Sequence, residues 1–126
     1  MGIKFTGAAE LNRNIAKVAQ RMPYQAAVAM YAEASIEMLE AKRRTPVKTG
    51  ALRASGHVTA PELRMGSIRV ALNFGNASVG YAVPVHEDVE AYHRVGQAKY
   101  LESTLRESAP FLPARIARRM NVEGLV

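Results

Sequence analysis

The sequence predicts an α+β domain in which alanine-rich amphipathic N-terminal helices and a C-terminal helix pack on a small antiparallel β-sheet. Apolar residues recur at helical spacing through the first third of the chain, switch to strict alternation between positions 68 and 85, and return to helical spacing after Gly96. With 126 residues and no linker-like tract, the chain is read as one domain, 1–126.

Each element follows from its local pattern. Ile3 and Phe5 flank Lys4 as in a short strand, and Thr6 can cap a helix whose first turn carries Glu10. Leu11, Ile15, Val18 and Met22 then mark one helical face. Pro23 either kinks one long helix or sits in the first turn of a second. From Tyr24 to Arg44 the helical pattern is strongest: Val28, Tyr31, Ala32, Ile36 and Leu39 form the apolar stripe, and Glu33, Glu37 and Glu40 project elsewhere. Lys42, Arg43 and Arg44 complement the dipole of its last turn, and Thr45-Pro46 ends it.

Strands come next. His57, Val58 and Thr59 form a weak one ended by Pro61. Ile68, Val70, Leu72 and Phe74 alternate with polar or small residues, as do Val79, Tyr81, Val83 and Val85, with Gly75-Asn76-Ala77-Ser78 as the turn between them. Pro84 places the second of these strands at a sheet edge or marks a strand end. Leu101, Thr104, Leu105 and Ser108 share a helical face that Pro110 ends or bends. A last helix carries Ile116 and Met120, with Arg115, Arg118 and Arg119 outside.

Composition bounds the function. Hydrophobic residues make up 48% of the chain, yet it has no tryptophan and only three phenylalanines, so its core leans on alanine. Such a subunit is expected to be modestly stable alone and to gain burial against neighbours. The absence of cysteine excludes disulfides, thiolate nucleophiles and Cys-ligated zinc. Met1-Gly2-Ile3-Lys4-Phe5 lacks the apolar run of a secretory signal, and no run reaches the ~20 residues of a membrane span. The expectation is a soluble protein made in the cytoplasm.

Chemistry-bearing clusters are sparse. His86-Glu87 and His93 stand seven apart in a segment read as strand end and loop, whereas a zinc-protease helix needs histidines four apart. No nucleophile elbow or phosphate loop accompanies them. No cofactor, metal site or catalysis is expected. The net charge of +6 suggests an acidic partner or nucleic acid, and its densest part is Lys42, Arg43, Arg44, Lys48 and Arg53. This stretch lacks the interleaved aromatics of a single-strand groove. Glu87, Asp88 and Glu90 form an acidic loop that is either solvated or a dock for a basic neighbour.

Three segments carry a family resemblance: Thr45-Pro46-Val47-Lys48-Thr49-Gly50-Ala51-Leu52-Arg53-Ala54-Ser55, Gly80-Tyr81-Ala82-Val83-Pro84-Val85-His86-Glu87, and Gly96-Gln97-Ala98-Lys99-Tyr100-Leu101-Glu102. In this order, after an alanine-rich helix, they resemble the neck and tail-completion (head–tail joining) family of tailed bacteriophages. The chain departs from that pattern in having Asp88-Val89-Glu90 where a glycine often follows the glutamate.

The resemblance implies a structural virion protein of the neck. It would form a homo-oligomeric ring, with six subunits matching the tail, between the connector or head-completion proteins and the tail-terminator or tail-tube proteins, around the genome's channel. Arg43, Arg44, Lys48, Arg53, Glu87, Asp88 and Glu90 are the candidate interface or channel residues, and the basic ones would face either protein or DNA without reading sequence. Physics gives Pro46, Thr49 and Gly50 a positioning role: a helix stop, a turn closure and a turn of positive φ. The alternative of a different class is a small basic nucleic-acid-binding module, suggested by charge alone.

Overall fold

Pro23 divides the N-terminal helical stretch in two. In the computed structural model, which describes residues 8–45, 50–64, 66–75, 77–84, 92–95 and 99–120, α1 (Ala8–Arg21) ends one residue before α2 (Pro23–Arg44) begins. The Met22 amide donates to the Val18 carbonyl at 2.8 Å, and the Met22 carbonyl accepts from the Ala26 amide at 3.1 Å. The hydrogen-bond ladder thus runs up to the bend from both sides, and proline occupies the first turn, where its missing N–H costs nothing. At the far end Thr45 is extended, its amide donating to the Lys42 carbonyl and its buried hydroxyl to the Ala41 carbonyl at 2.9 Å. Thr45 therefore closes α2 as the Thr-Pro pair implied.

A short helix, α3 (Gly50–Ala54), follows. Gly50 opens this helix, and positive φ occurs instead at Gly66 (91°) and Gly75 (52°), so the turn expected at Gly50 is a helix start. The sheet comprises β1 (His57–Val58), β2 (Glu62–Arg64), β3 (Ser67–Phe74), β4 (Ala77–Pro84) and β5 (Tyr92–Val95), all antiparallel. β1 and β2 lie end to end along the same edge of β3, interrupted at Thr59, Ala60 and Pro61. β3 and β4 pair along their full length with Phe74 opposite Ala77, so Ala77 and Ser78, expected in the turn, belong to β4.

Pro84 is the last residue of β4, as a strand-end proline should be. β4 is not an edge, however, because Ser78 to Tyr81 pair with Val95 to Tyr92 of β5. β5 therefore corrects two expectations: the edge strand is Tyr92–Val95, and His93 lies in a strand opposite Gly80. The strand at Ile3–Phe5, the Thr6 cap, Pro46, Thr49 and Val85 fall outside the described residues.

One face of the sheet carries the core. Ile68, Val70, Leu72 and Phe74 point inward, opposite Val83, Tyr81, Val79 and Ala77, while β3's alternate residues are only partly covered. Against this face pack α1, through Ile15, Ala16 and Ala19, and α2. α4 (Lys99–Ser108) adds Leu101 and Leu105, and α5 (Leu112–Met120) adds Leu112, Ile116 and Met120. Gly56 lets the chain cross close beneath β3: a Cβ there would lie 2.5 Å from the Phe74 ring and 2.9 Å from Lys42 Cε. Phe74 in turn meets Tyr100 of α4 edge-on, with ring centroids 5.1 Å apart.

The long helix is turned opposite to the reading its large residues suggest. Its buried positions are Ala26, Ala27, Ala29, Met30, Glu33, Ala34, Glu37, Met38 and Ala41. Val28 is 69% and Leu39 65% exposed, and Tyr31 and Ile36 are exposed too. The predicted apolar stripe is present, but it faces outward. Small alanines let α2 sit close to the sheet, and close packing of many small contacts replaces the bulk of a few large ones.

Candidate functional site

Inward-facing glutamates on α2 set up the first distinctive site. Glu33 and Glu37 are only 5% and 3% exposed. They are met by Arg119 and Arg115 of α5: Arg119 Nε donates to Glu33 Oε2, and Arg115 Nη1 lies 3.5 Å from Glu37 Oε2. The pairing runs antiparallel, with matched i,i+4 spacing on both helices. This corrects the expectations that these glutamates project away and that Arg115 and Arg119 sit simply outside. The spacing match was the available signal.

Glu37 Oε1 is buried without a hydrogen-bond partner. Burial, above all, raises the Glu37 carboxyl above its ordinary value, against the opposing hydrogen bond from Ser108 and the charge of Arg115. The adjoining cavity, bordered by Met30, Val70, Tyr81 and Leu105, measures about 10 Å³ and is too small for a substrate.

An unfolded Glu37 loses its proton near 4.5, while the folded chain holds it to higher pH. Between those values the native state binds more protons than the unfolded state, so Glu37's contribution is full at low pH and is lost as pH rises. Glu37→Gln should therefore gain stability relative to wild type on going from pH 4 to pH 7.5, measured by urea denaturation. An unchanged difference between the two would contradict a strained carboxylate. The exposed Glu40 and Glu107 carboxyls, held low chiefly by hydrogen bonds from Arg44, act in the opposite sense in both proteins.

The basic cluster is partly committed within the chain. Arg44 donates to both Glu107 oxygens, at 2.7 and 3.0 Å, to Glu40 at 3.0 Å and to Ser103 at 3.1 Å, tying α2 to α4. Glu107 first, and then Glu40, hold its guanidinium pKa above the usual value. Arg53 donates to the Thr45 carbonyl at 2.7 Å and brings α3 back against the end of α2. Arg43 pairs with Glu40 at 2.7 Å yet remains exposed and faces outward. Lys48, Glu87, Asp88, Glu90 and His86 lie outside the described residues, as does the side chain of His93. Among the described residues no group of three or more His, Cys, Asp or Glu converges on one point, and no helix is long and apolar enough to cross a membrane.

Two open grooves flank the outer face of α2. One, of about 440 Å³, runs between Tyr24, Val28 and Tyr31 and the β1–β2 connection at Ala60, Pro61 and Leu63. The other, of about 640 Å³, lies between Tyr24, Val28 and Ala32 and the end of α5 at Arg119 and Met120. Together they leave the helix as an apolar ridge. No family model, curated protein or solved structure matches this chain in comparison.

Proposed function

We propose that the chain is a non-enzymatic structural protein of a tailed-phage virion, made in the host cytoplasm. It forms a homo-oligomeric ring in the neck, between the head connector and the tail, with the genome passing through its centre. The observation that carries this reading is the ordered set of three segments, 45–55, 80–87 and 96–102, each resembling a segment of the neck family. Support of a different kind comes from the surface: an exposed apolar ridge suits a protein whose work is to be covered by others. Closed cyclic symmetry would repeat one subunit contact until the ring shuts.

The nucleic-acid-module alternative rests on the net charge of +6. It is weakened by the use of Arg44 and Arg53 inside the chain. Interrupting the reading frame in a phage that carries it should abolish plaques and leave DNA-filled heads and finished tails unjoined in lysates viewed by electron microscopy. Complementation from a plasmid should restore joining. Normal virions from the interrupted phage would remove the protein from the neck.

A further inference from the structure

The long helix is apolar on both sides. Its inner side is used by the sheet and by α4 and α5; its outer side presents Tyr24, Val28, Tyr31, Ile36 and Leu39, with Leu63 beside them. Tyr24 is 75% exposed. These side chains expose an area on the order of 600 Å², the upper end of what monomeric proteins leave uncovered. A helix with an apolar stripe left over after its inner side is packed can bury that stripe only against another surface.

The chemistry of this face selects its occupant. On α2 itself, from position 24 to 39, the outward residues include no cation and no carboxylate, and the cations that border the face, Arg119 and Arg64, are paired with Glu33 and Glu62, so the face is poor in free phosphate-binding groups. Along the outer side of α2 the fixed charges begin at Glu40, which is already paired with Arg43 and Arg44. An apolar protein surface of similar length is what remains, and among the described residues this stripe is itself such a surface.

We propose that α2 packs against α2 of a second copy of this chain, antiparallel, about a two-fold axis passing between Tyr31 and Ala32. In that register Tyr31 faces Ala32 of the other copy, Val28 faces Ser35, and Tyr24 faces Leu39, so large side chains meet small ones at the centre. Each helix ridge lies beside the other's flanking grooves. The antiparallel sense also separates the basic ends: Arg43 sits about 17 Å from the axis, so the two clusters stand about 35 Å apart, beyond the ~8 Å screening length. A parallel pair would place them together. Covering the stripe on both copies removes roughly 1,200 Å², the lower bound of a stable interface. This pairing is independent of the neck reading and describes the protein outside any ring.

The test uses the full-length purified chain. Sedimentation should show a dimer, and the double variant Val28→Glu, Leu39→Glu should weaken it roughly 100-fold while circular dichroism stays native, because both residues are exposed in the single chain. The chain has no cysteine, so introduced ones report geometry cleanly. Ala32→Cys should crosslink to itself under mild oxidation. Leu39→Cys should not, since its two copies would lie about 22 Å apart. Several outcomes overturn the proposal: a wild-type monomer at all concentrations, a dimer indifferent to the double variant, or a larger oligomer without the Ala32→Cys crosslink. A monomer that dimerises only when residues 121–126 are removed would assign the face to the chain's own terminus and equally overturn it. Phage viability decides none of these, so the two readings fail separately.

Discussion

Arg119→Ala is expected to cost about 3 kcal/mol of folding stability, a large share of the ~5–15 kcal/mol typical of a domain. The substitution strands the buried Glu33 carboxylate, whose ion pair with Arg119 joins α2 to α5. An uncompensated charge in an apolar surround is worse than no charge. The double variant Arg119→Ala, Glu33→Met should therefore recover most of the loss, since methionine keeps the volume and removes the charge. Urea denaturation of wild type, single and double variants measures both steps. A single variant within about 0.5 kcal/mol of wild type would mean that the pair contributes nothing to the helix contact.

Phe74→Ala should be costlier still, at about 3–5 kcal/mol. Phe74 is 1% exposed at the end of β3, edge-on to Tyr100 and directly against Gly56. It holds together the sheet, α4 and the crossing at Gly56. The same geometry makes two substitutions interdependent. Gly56→Ala alone places a methyl against the ring and should cost about 1–3 kcal/mol. In the Phe74→Ala background that methyl has room, and the added cost should fall close to zero, because Lys42 Cε belongs to a flexible side chain that can move aside. Additive costs would show that the ring does not press on Gly56.

Much of the fold could be read from period and punctuation. The change from helical to alternating spacing located β3 and β4, and Pro23, Pro84 and Pro110 fell at a helix start, a strand end and an inter-helix turn. The orientation of α2 could not be read the same way. Hydropathy favours burying Val28, Ile36 and Leu39, but the sheet and its neighbouring helices demand close approach, which only the alanine side allows. A helix with two apolar faces leaves that choice to tertiary packing. Glu33 and Glu37 compounded the difficulty, since acidic residues suggest a solvated face until the arginines that meet them are found on a helix about 80 residues later. β2 and β5 escaped notice because each is short and gains its definition from a neighbour rather than from its own pattern.

The candidate site divides in the same manner. Charge counting found Arg43, Arg44 and Arg53 but could not tell an outward cation from one held by Glu107 or by the Thr45 carbonyl. Among the described cations of the cluster, Arg43 has the most exposed side chain, the character that a partner or the genome would need. The outer face of α2 was legible as a stripe and misleading as to its destination, because an apolar stripe reads in sequence as one that buries within the chain, and here it is exposed.

Quantitative mass spectrometry of purified virions from a phage that encodes this chain distinguishes a structural role in the neck from any other. The protein should be present in every intact particle, at a copy number close to that of a tail ring and retained in particles stripped of loosely attached proteins. Its absence from purified virions, with the connector and tail-tube proteins present at full copy number, would contradict a structural role in the neck.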